Sequence, residues 1–274
     1  MVSKKQNLDS MKTTLENFQL KGKTALITGG SDGIGKELAI ALGQAGAIVC
    51  INGRSVEKLE SAKKELENLG IEVFTAAFDV SKDDEVINGI ADITNRMGHI
   101  NILINNAGII KRQTILEMSS EDFKEVLDVN LSSAFIVSKA IVPAMIKAGG
   151  GKIINICSLM STYGRNSVAA YASSKGGLNM LTKSMCVEWA KHNIQVNAIG
   201  PGYIKTAKTL DFTQKDHPFN DLIMCRTPAK RWGEAKDLSG LAILLSSEAG
   251  AFINGQIIYV DGGITANFGY VKGE

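Results

Sequence analysis

The chain has 274 residues, of which 45% are hydrophobic and 21% charged, and its formal net charge is +2. This is the composition of a globular protein with ample material for a core, and the small net charge argues against nucleic acid or a membrane surface as a partner. No window approaches the roughly 18 apolar residues that a membrane span needs, and the first residues lack the apolar core of a signal peptide. We therefore expect a cytoplasmic protein with a loose extension at 1–19 and one domain at 20–274.

Strand-like and helix-like segments alternate along the chain. The helix-like segments carry apolar residues at helical spacing and are 34–47, 55–70, 82–98, 119–147, 169–192 and 234–248. The strand-like segments are short apolar runs at 23–29, 47–53, 71–80, 100–108, 151–158, 194–202 and 255–263. Nearly every run is apolar without alternation, which is typical of a parallel sheet covered by helices on both faces. The predicted fold class is therefore α/β, a single doubly wound (Rossmann) domain of about seven strands.

A glycine-rich turn, TGGSDGIG, follows the first strand-like run and opens the first helix. Glycines there let a phosphate approach the backbone, and the free N–H groups of the helix N-terminus favour an anion. Gly30 to Lys36 nearly matches the phosphate-binding loop of kinases and NTPases, but Glu37 stands where that loop needs a magnesium-binding Ser or Thr. The position between a strand and a helix favours a dinucleotide site instead.

The end of the second strand bears on which dinucleotide is bound. An NAD site has an acidic residue about twenty residues after the turn to meet the adenosine ribose, but none lies between Glu37 and Glu57. Arg54 in INGRS can instead pair with the 2′-phosphate of NADP. We therefore favour NADP as the cofactor, with NAD as the alternative. If Arg54 has no role in cofactor binding, it is simply a solvated residue at the end of the strand.

Two other kinds of site lack support in the sequence. The four cysteines and three histidines are dispersed without the spacing of metal ligands, so no metal site is expected. A serine hydrolase is not favoured either, because the match to the G-x-S-x-G pattern of such enzymes, GGSDG at 29–33, lies in the glycine turn assigned to the dinucleotide.

Further short motifs follow the glycine turn in a fixed order. They are Asp79 in FDV, NNAG at 105–108, Asn130 in DVN, Ser158 in NICS, Tyr171 and Lys175 in YASSK, PGYIKT at 201–206 and DGG at 261–263. Together they resemble the short-chain dehydrogenase/reductase family from residue 20 to residue 263. The resemblance implies a homotetramer, and it implies that the cofactor contacts, besides Arg54, are Gly29, Ser31, Asp32, Gly33, Ile34, Gly35, Asp79, Val80, Asn106, Ala107, Gly108, Tyr171, Lys175, Pro201, Gly202, Ile204 and Thr206.

The same resemblance implies a reaction centre of Asn130, Ser158, Tyr171 and Lys175. A free tyrosine has a pKa of about 10, which is too high for a base near neutral pH. A lysine one helical turn away, with oxidised nicotinamide nearby, would lower that pKa. By resemblance, Lys175 also holds the nicotinamide ribose, Ser158 orients the substrate oxygen, and Asn130 anchors a water that links Lys175 to solvent.

Finer features concern the substrate. KIINICS, PGYIKT and RTPAKRWG resemble the gluconate 5-dehydrogenase branch of the family, which interconverts D-gluconate and 5-keto-D-gluconate. The short loop after NNAG carries Lys111 and Arg112 and could place a cation over the active site. Arg112 and Arg165 could bind the carboxylate of a small sugar acid, while Ser158 and Tyr171 contact its reacting oxygen. Residues 203–233 form an irregular section that interrupts the regular alternation, and we expect 203–225 within it to form a mobile lid.

Three alternatives remain open at this point. The first is a 2-dehydro-3-deoxy-D-gluconate 5-dehydrogenase, and the second is a 3-ketoacyl carrier-protein reductase. The third belongs to another class, a catalytically idle oligomer that senses NADP.

Overall fold

All seven predicted strand runs form one sheet in the computed structural model, which describes residues 13–267 and 269. The helices and strands in chain order are β1 (Thr24–Ile27), α1 (Gly33–Gln44), β2 (Ile48–Gly53), α2 (Val56–Asn68), β3 (Val73–Ala77), α3 (Asp83–Met97), β4 (Ile102–Asn105), α4 (Ser120–Leu127), α5 (Ser133–Lys147), β5 (Gly151–Ile156), α6 (Ala169–Trp189), β6 (Ile194–Pro201), β7 (Ile204–Lys205), α7 (Pro218–Arg226), β8 (Gly233–Glu234), α8 (Ser239–Ser246) and β9 (Ile257–Val260).

The strand order of the large sheet places the first and fourth strands side by side. The order is β3-β2-β1-β4-β5-β6-β9, and every neighbouring pair is parallel. The chain runs outwards from β1 to β3 and then returns to β4, so the winding direction reverses between β1 and β4. Ligands of such sheets bind outside the carboxyl ends of the strands at this reversal. The predicted fold class is confirmed.

Helices cover both faces of the sheet, and successive residues of each strand pack against opposite layers. In β1, Ala25 and Ile27 belong to the apolar cluster that includes α1, α2 and α8. Leu26 between them belongs to the cluster that includes α3, α5 and α6. Both faces are apolar because both are covered, which is why the strands read as continuous apolar runs.

The long helix predicted at 119–147 is interrupted by a π-helical turn. Helices α4 and α5 are joined by Asp128–Ser132, which includes Asn130. The run from Ser120 to Lys147 also has the length and mean hydropathy of a membrane-spanning helix, although 44% of its most apolar window is buried inside the structure. Mean hydropathy over a window can stay high even when a few polar residues are included. This is why the segment passes that test although the sequence holds no unbroken apolar stretch of the length of a membrane span.

The segment predicted to be irregular, 203–233, contains regular structure that the sequence did not indicate. It holds α7 and a 3₁₀-helix at Ala207–Thr213. Its ends are joined by the parallel pair β7 and β8, with Ile204 opposite Gly233 and Lys205 opposite Glu234. The predicted lid, 203–225, therefore lies within a larger folded segment that is fastened at its base, and its mobility stays a prediction.

The predicted domain limits fall partly outside the described residues. Residues 1–12 of the expected extension are among those not described, and so are 268 and 270–274 of the expected domain. Within the described part, Leu15 is 79% exposed and Leu20 is 1% exposed. Leu20 is thus the first buried residue that the structure describes, but the extension at 1–19 stays a prediction.

Candidate active site

A cavity of about 660 Å³ lies at the carboxyl edge of the sheet. Every residue predicted to contact a cofactor or a substrate lies on its wall. Of the predicted reaction-centre residues, Ser158, Tyr171 and Lys175 line the cavity and Asn130 does not.

The glycine turn is held in place by the NNAG motif. The side-chain amide of Asn106 donates to the carbonyl oxygens of Thr28, at 3.0 Å, and Gly29, at 2.9 Å. Gly29 has a φ of +62°, and a Cβ on Gly35 would lie 2.2 Å from the Gly29 carbonyl oxygen. The turn therefore requires glycine at both positions, at one for the backbone conformation and at the other for close packing.

Helix α1 begins directly at this turn and points its N-terminus at the cavity. Asp32 caps the helix by accepting from the Gly33 N–H at 2.7 Å. The remaining N–H groups of the first turn have no partner within the helix, so they favour an anion in front of them.

One end of the cavity carries the charges expected to face adenosine. The Arg54 side chain is 72% exposed, and its Nη1 lies 3.7 Å from Oδ2 of Asp79. Burial alone would raise the pKa of Asp79, but hydrogen bonds from Ser81 and the charge of Arg54 outweigh it and lower that pKa. So exposed and long an ion pair contributes little to stability, which leaves the Arg54 guanidinium free to turn towards a phosphate.

Sequence reasoning missed two further polar residues at this end. Ser55, the N-cap of α2, and Lys58 in its first turn both line the cavity. The signal was present, because a Ser followed by a Lys in the first turn of a helix places a cation beside free N–H groups.

The reaction centre lies on the end of β5 and the first turns of α6. Ser158 follows β5, and its hydroxyl accepts from the Met160 N–H at 3.2 Å. Lys175 is 4% exposed, and its Nζ donates to the Ile156 carbonyl at 2.6 Å. The same Nζ lies 5.8 Å from the centre of the Tyr171 ring. One helical turn between Tyr171 and Lys175 thus brings both to the same wall.

Burial dominates the proton affinities of this centre. Burial raises the pKa of Tyr171, while the Ser158 hydrogen bond and the charges of Arg112 and Arg165 lower it. Burial also lowers the pKa of Lys175. The side chains on their own therefore leave the phenol protonated near neutral pH, and the lowering expected from the sequence needs further positive charge.

Asn130 lies behind the reaction centre, in the π-helical turn. Its Oδ1 accepts from the Ile109 N–H at 2.7 Å, and its Nδ2 donates to the Ile109 carbonyl at 2.9 Å and to Ser174 Oγ at 3.0 Å. The side chain thereby fixes the loop after NNAG to helix α6. The predicted role of Asn130 in holding a water stays a prediction.

The end of the cavity opposite the adenosine-facing charges carries two arginines, each beside a phenylalanine ring. Arg112 lies over the Phe212 ring at 5.3 Å, and Arg165 lies over the Phe219 ring at 5.0 Å. Burial, followed by the charge of Arg165, lowers the pKa of Arg112. The sequence pointed to both arginines but not to Phe212 or Phe219, whose approach depends on how 203–233 folds back.

Lys111 points away from this end of the cavity. It forms ion pairs with Asp122 and Glu125 of α4 and does not line the cavity. Of the two cations after NNAG, only Arg112 faces the site. Among residues 13–267 and 269, no group of three or more His, Cys, Asp or Glu could hold a metal ion.

This arrangement defines a class of enzyme, in which a tyrosine, a serine and a lysine face a dinucleotide-type cavity in a doubly wound sheet. The chain matches the short chain dehydrogenase family over residues 23–217. It belongs to that family and is an oxidoreductase acting on CH–OH groups.

Individual relatives cover nearly the whole chain. The chain is 53% identical over 262 residues to a 2-dehydro-3-deoxy-D-gluconate 5-dehydrogenase of Formosa agariphila, covering 95% of this chain and 99% of that one. It is 45% identical over 250 residues to a gluconate 5-dehydrogenase of Gluconobacter oxydans, covering 91% and 97%. A crystal structure of a gluconate 5-dehydrogenase from Burkholderia cenocepacia in complex with NADP and tartrate has a TM-score of 0.89 and 42% identity, covering 93% of this chain and all of that one.

Proposed function

We propose that the protein is an NADP-dependent oxidoreductase that interconverts D-gluconate and 5-keto-D-gluconate. The observation that carries the proposal is the pair Arg112 and Arg165, which lies in the same cavity as Ser158 and Tyr171. A carboxylate held by the arginines would leave a carbon further along the sugar chain at the reaction centre. Relatives named for carbon 5 of six-carbon sugar acids support this reading.

The cavity fits a dinucleotide. Gly33 has a φ of +54°, and a Cβ there would stand in the gap 3.6 Å from Thr206 Cγ2, where the helix N-terminus needs room for a pyrophosphate. Arg54 and Lys58 would hold a 2′-phosphate, and Asp79 the adenine. Tyr171 and Lys175 would hold the nicotinamide ribose. The neighbour in complex with NADP supports this cofactor, with NAD as the alternative.

When bound, NADP supplies the hydride acceptor or donor, and its oxidised ring adds a positive charge that favours the phenolate. The protein's own residues handle the proton. In the oxidative direction Tyr171 takes the proton of the substrate hydroxyl, and Ser158 holds the substrate oxygen beside the phenol. The Ile156 carbonyl fixes Lys175 Nζ at 2.6 Å, where its charge would stabilise the phenolate.

A second candidate substrate pair belongs to 2-dehydro-3-deoxy-D-gluconate. The relative at 53% identity is named for this sugar acid. Like gluconate, the sugar acid has a carboxylate and would react at carbon 5. The arginine pair serves both substrates, so hydroxyl contacts elsewhere in the cavity must separate them. The sugar-acid names of these relatives favour either candidate over a carrier-protein reductase, and family membership with a filled reaction centre favours an enzyme over an idle NADP sensor.

We further propose a cytoplasmic homotetramer without nucleic-acid or membrane partners, in which residues 203–225 act as a lid. Apolar side chains on the outer face of α6 support the tetramer, since Met180 is 60% and Val187 is 81% exposed. Light scattering tests the assembly. For the lid, NADP with gluconate should reduce proteolysis at 203–225, and equal cleavage with and without these ligands would contradict it.

The central experiment measures nicotinamide reduction or oxidation by absorbance, with sugar acids, neutral polyols and ketoacyl esters against NADP and NAD. The expected result is the highest kcat/KM for a carbon-5 hydroxyl or ketone of a six-carbon sugar acid with NADP. Equal turnover of gluconate and its neutral polyol, sorbitol, would contradict the proposal.

A further inference from the structure

Each of the two cavity arginines is stacked on a different phenylalanine of the segment 203–233. The guanidinium carbon of Arg112 lies 5.3 Å from the centre of the Phe212 ring, and that of Arg165 lies 5.0 Å from the centre of the Phe219 ring. Among the residues that the structure describes, neither arginine forms an ion pair with a carboxylate. Arg165 makes one long side-chain contact besides, from Nη1 to the Tyr203 hydroxyl at 3.5 Å.

The two phenylalanines belong to one connected cluster of rings, which includes Tyr203, Phe212, Phe219 and Trp232, with His217 against Phe212. The Phe212 and Phe219 ring centres are 5.6 Å apart, and Phe219 lies 5.5 Å from Tyr203 and 6.3 Å from Trp232, all edge to face. Trp232 Nε1 also donates to Asn220 Oδ1 at 2.8 Å. Tyr203 and Trp232 adjoin the paired strands β7 and β8, so the base of the segment is fastened to the rings that carry the arginines.

Stacking on the rings stabilises the two guanidinium groups while leaving their N–H groups available to a substrate. Two guanidinium groups that converge in one cavity repel each other, and each loses water. A carboxylate partner would offset both costs, but it would occupy the N–H groups that a substrate must reach. An aromatic face attracts the cation through the ring quadrupole and leaves the N–H edges free.

We propose that Phe212 and Phe219 are positioning residues, which hold Arg112 and Arg165 with their N–H edges directed at the substrate carboxylate. The inference rests on the proposed function, because it assumes that a carboxylate is bound there. It adds that the segment 203–233 takes part in recognising the acid through these two rings.

The test replaces each ring with an aliphatic side chain of similar volume. Phe212→Leu and Phe219→Leu remove the ring face but keep apolar packing, and Phe135→Leu is the matched control. Phe135 stacks on Lys139, with 5.6 Å from Nζ to the ring centre, outside the cavity. Calorimetry measures gluconate binding to the full-length enzyme with NADPH, the cofactor form that cannot oxidise gluconate, and melting temperature and light scattering check folding and assembly.

The expected result is a three- to tenfold weaker binding of gluconate in each ring variant, of about the size of a cation–π contact. NADP binding stays unchanged, and Phe135→Leu behaves as the wild type. Phe212→Leu added to Arg112→Ala causes no further loss, since the ring acts through that arginine.

Other outcomes separate this inference from the proposed function. If Arg112→Ala weakens gluconate binding but the ring variants do not, the positioning role is overturned and the proposed function stands. An equal loss from Phe212→Leu with and without Arg112 would mean general packing and would also overturn the positioning role. If neither Arg112→Ala nor Arg165→Ala changes gluconate binding, the carboxylate contact fails, and both proposals fall together.

Discussion

The reaction centre and the arginine end of the same cavity are built in opposite ways. Tyr171 and Lys175 lie on the first turns of a long helix, and Lys175 is only 4% exposed and bonded to a strand carbonyl. Arg112 and Arg165 lie on loops, and they are held by aromatic rings from two short helices of the connecting segment 203–233. Chemistry that must not vary sits on packed elements, while recognition of one substrate sits on connections that can change without disturbing the sheet.

The two ends also control charge differently. At the reaction centre burial sets the proton affinities, raising the pKa of Tyr171 and lowering that of Lys175. At the arginine end the charges stay partly solvated, and ring faces direct them. Substitutions at the reaction centre should therefore change mainly kcat, and substitutions at the arginine end should change mainly the KM for the sugar acid.

The largest effect is expected from Tyr171→Phe. Removing the phenol takes away the proton acceptor, and kcat should fall about 10²- to 10⁴-fold. The ring remains, so NADP binding measured by fluorescence should be nearly unchanged. Tyr163→Phe is the control, because Tyr163 is 43% exposed and lies outside the cavity. Turnover by Tyr171→Phe at the wild-type rate would contradict the proposed proton route.

Arg112→Ala should act at the other end and mainly on KM. Losing a charge-assisted contact with the carboxylate should raise the KM for gluconate about 10- to 100-fold, with little change in the KM for NADP. Lys111→Ala removes the neighbouring cation, which pairs with Asp122 and Glu125 instead, and should leave both KM values as they are. A loss confined to kcat would remove the contrast between the two ends.

The sequence predicted the regular parts of the fold because their signals are local. The strands of the large sheet are mostly apolar runs, and the motif residues follow these runs at the edge where the cavity forms. The π-helical turn around Asn130 escaped notice because it changes only the local hydrogen-bond spacing inside a run that reads as helical, with Ser133 N–H bonded to the Asp128 carbonyl. The two-residue strands β7 and β8 escaped notice because they pair residues distant in sequence.

The features of the site that the sequence did not predict also depend on contacts between distant residues. Arg112 and Arg165 could be suggested from residue type and place, but Phe212 and Phe219 become meaningful only when 203–233 folds over the cavity. The sequence placed Tyr171 beside Lys175, yet it did not show that burial would raise the pKa of the phenol.

Arg54→Ala tests a third, intermediate location at the exposed end of a packed strand. The dissociation constant for NADP should rise about tenfold, the loss of one charge-assisted phosphate contact, while that for NAD stays unchanged. Lys63→Ala is the control on α2, where Lys63 pairs with Glu67. Equal weakening of both dinucleotides would mean that Arg54 does not select the 2′-phosphate.

The smallest expected effect is on the pH dependence of activity, because the charge of Arg112 at one end of the cavity acts on the Tyr171 phenol at the other. The charge of Arg112 lowers the pKa of Tyr171, and oxidation needs the phenolate, so activity is present above that pKa and lost as pH falls through it. Arg112→Gln removes the charge and should move the acidic limb of the kcat profile to higher pH. Arg112→Lys keeps the charge but not the planar fork, so it should raise the KM for gluconate and leave the limb in place. A limb that moves equally in both variants would show that the arginine acts on the phenol through packing and not through its charge.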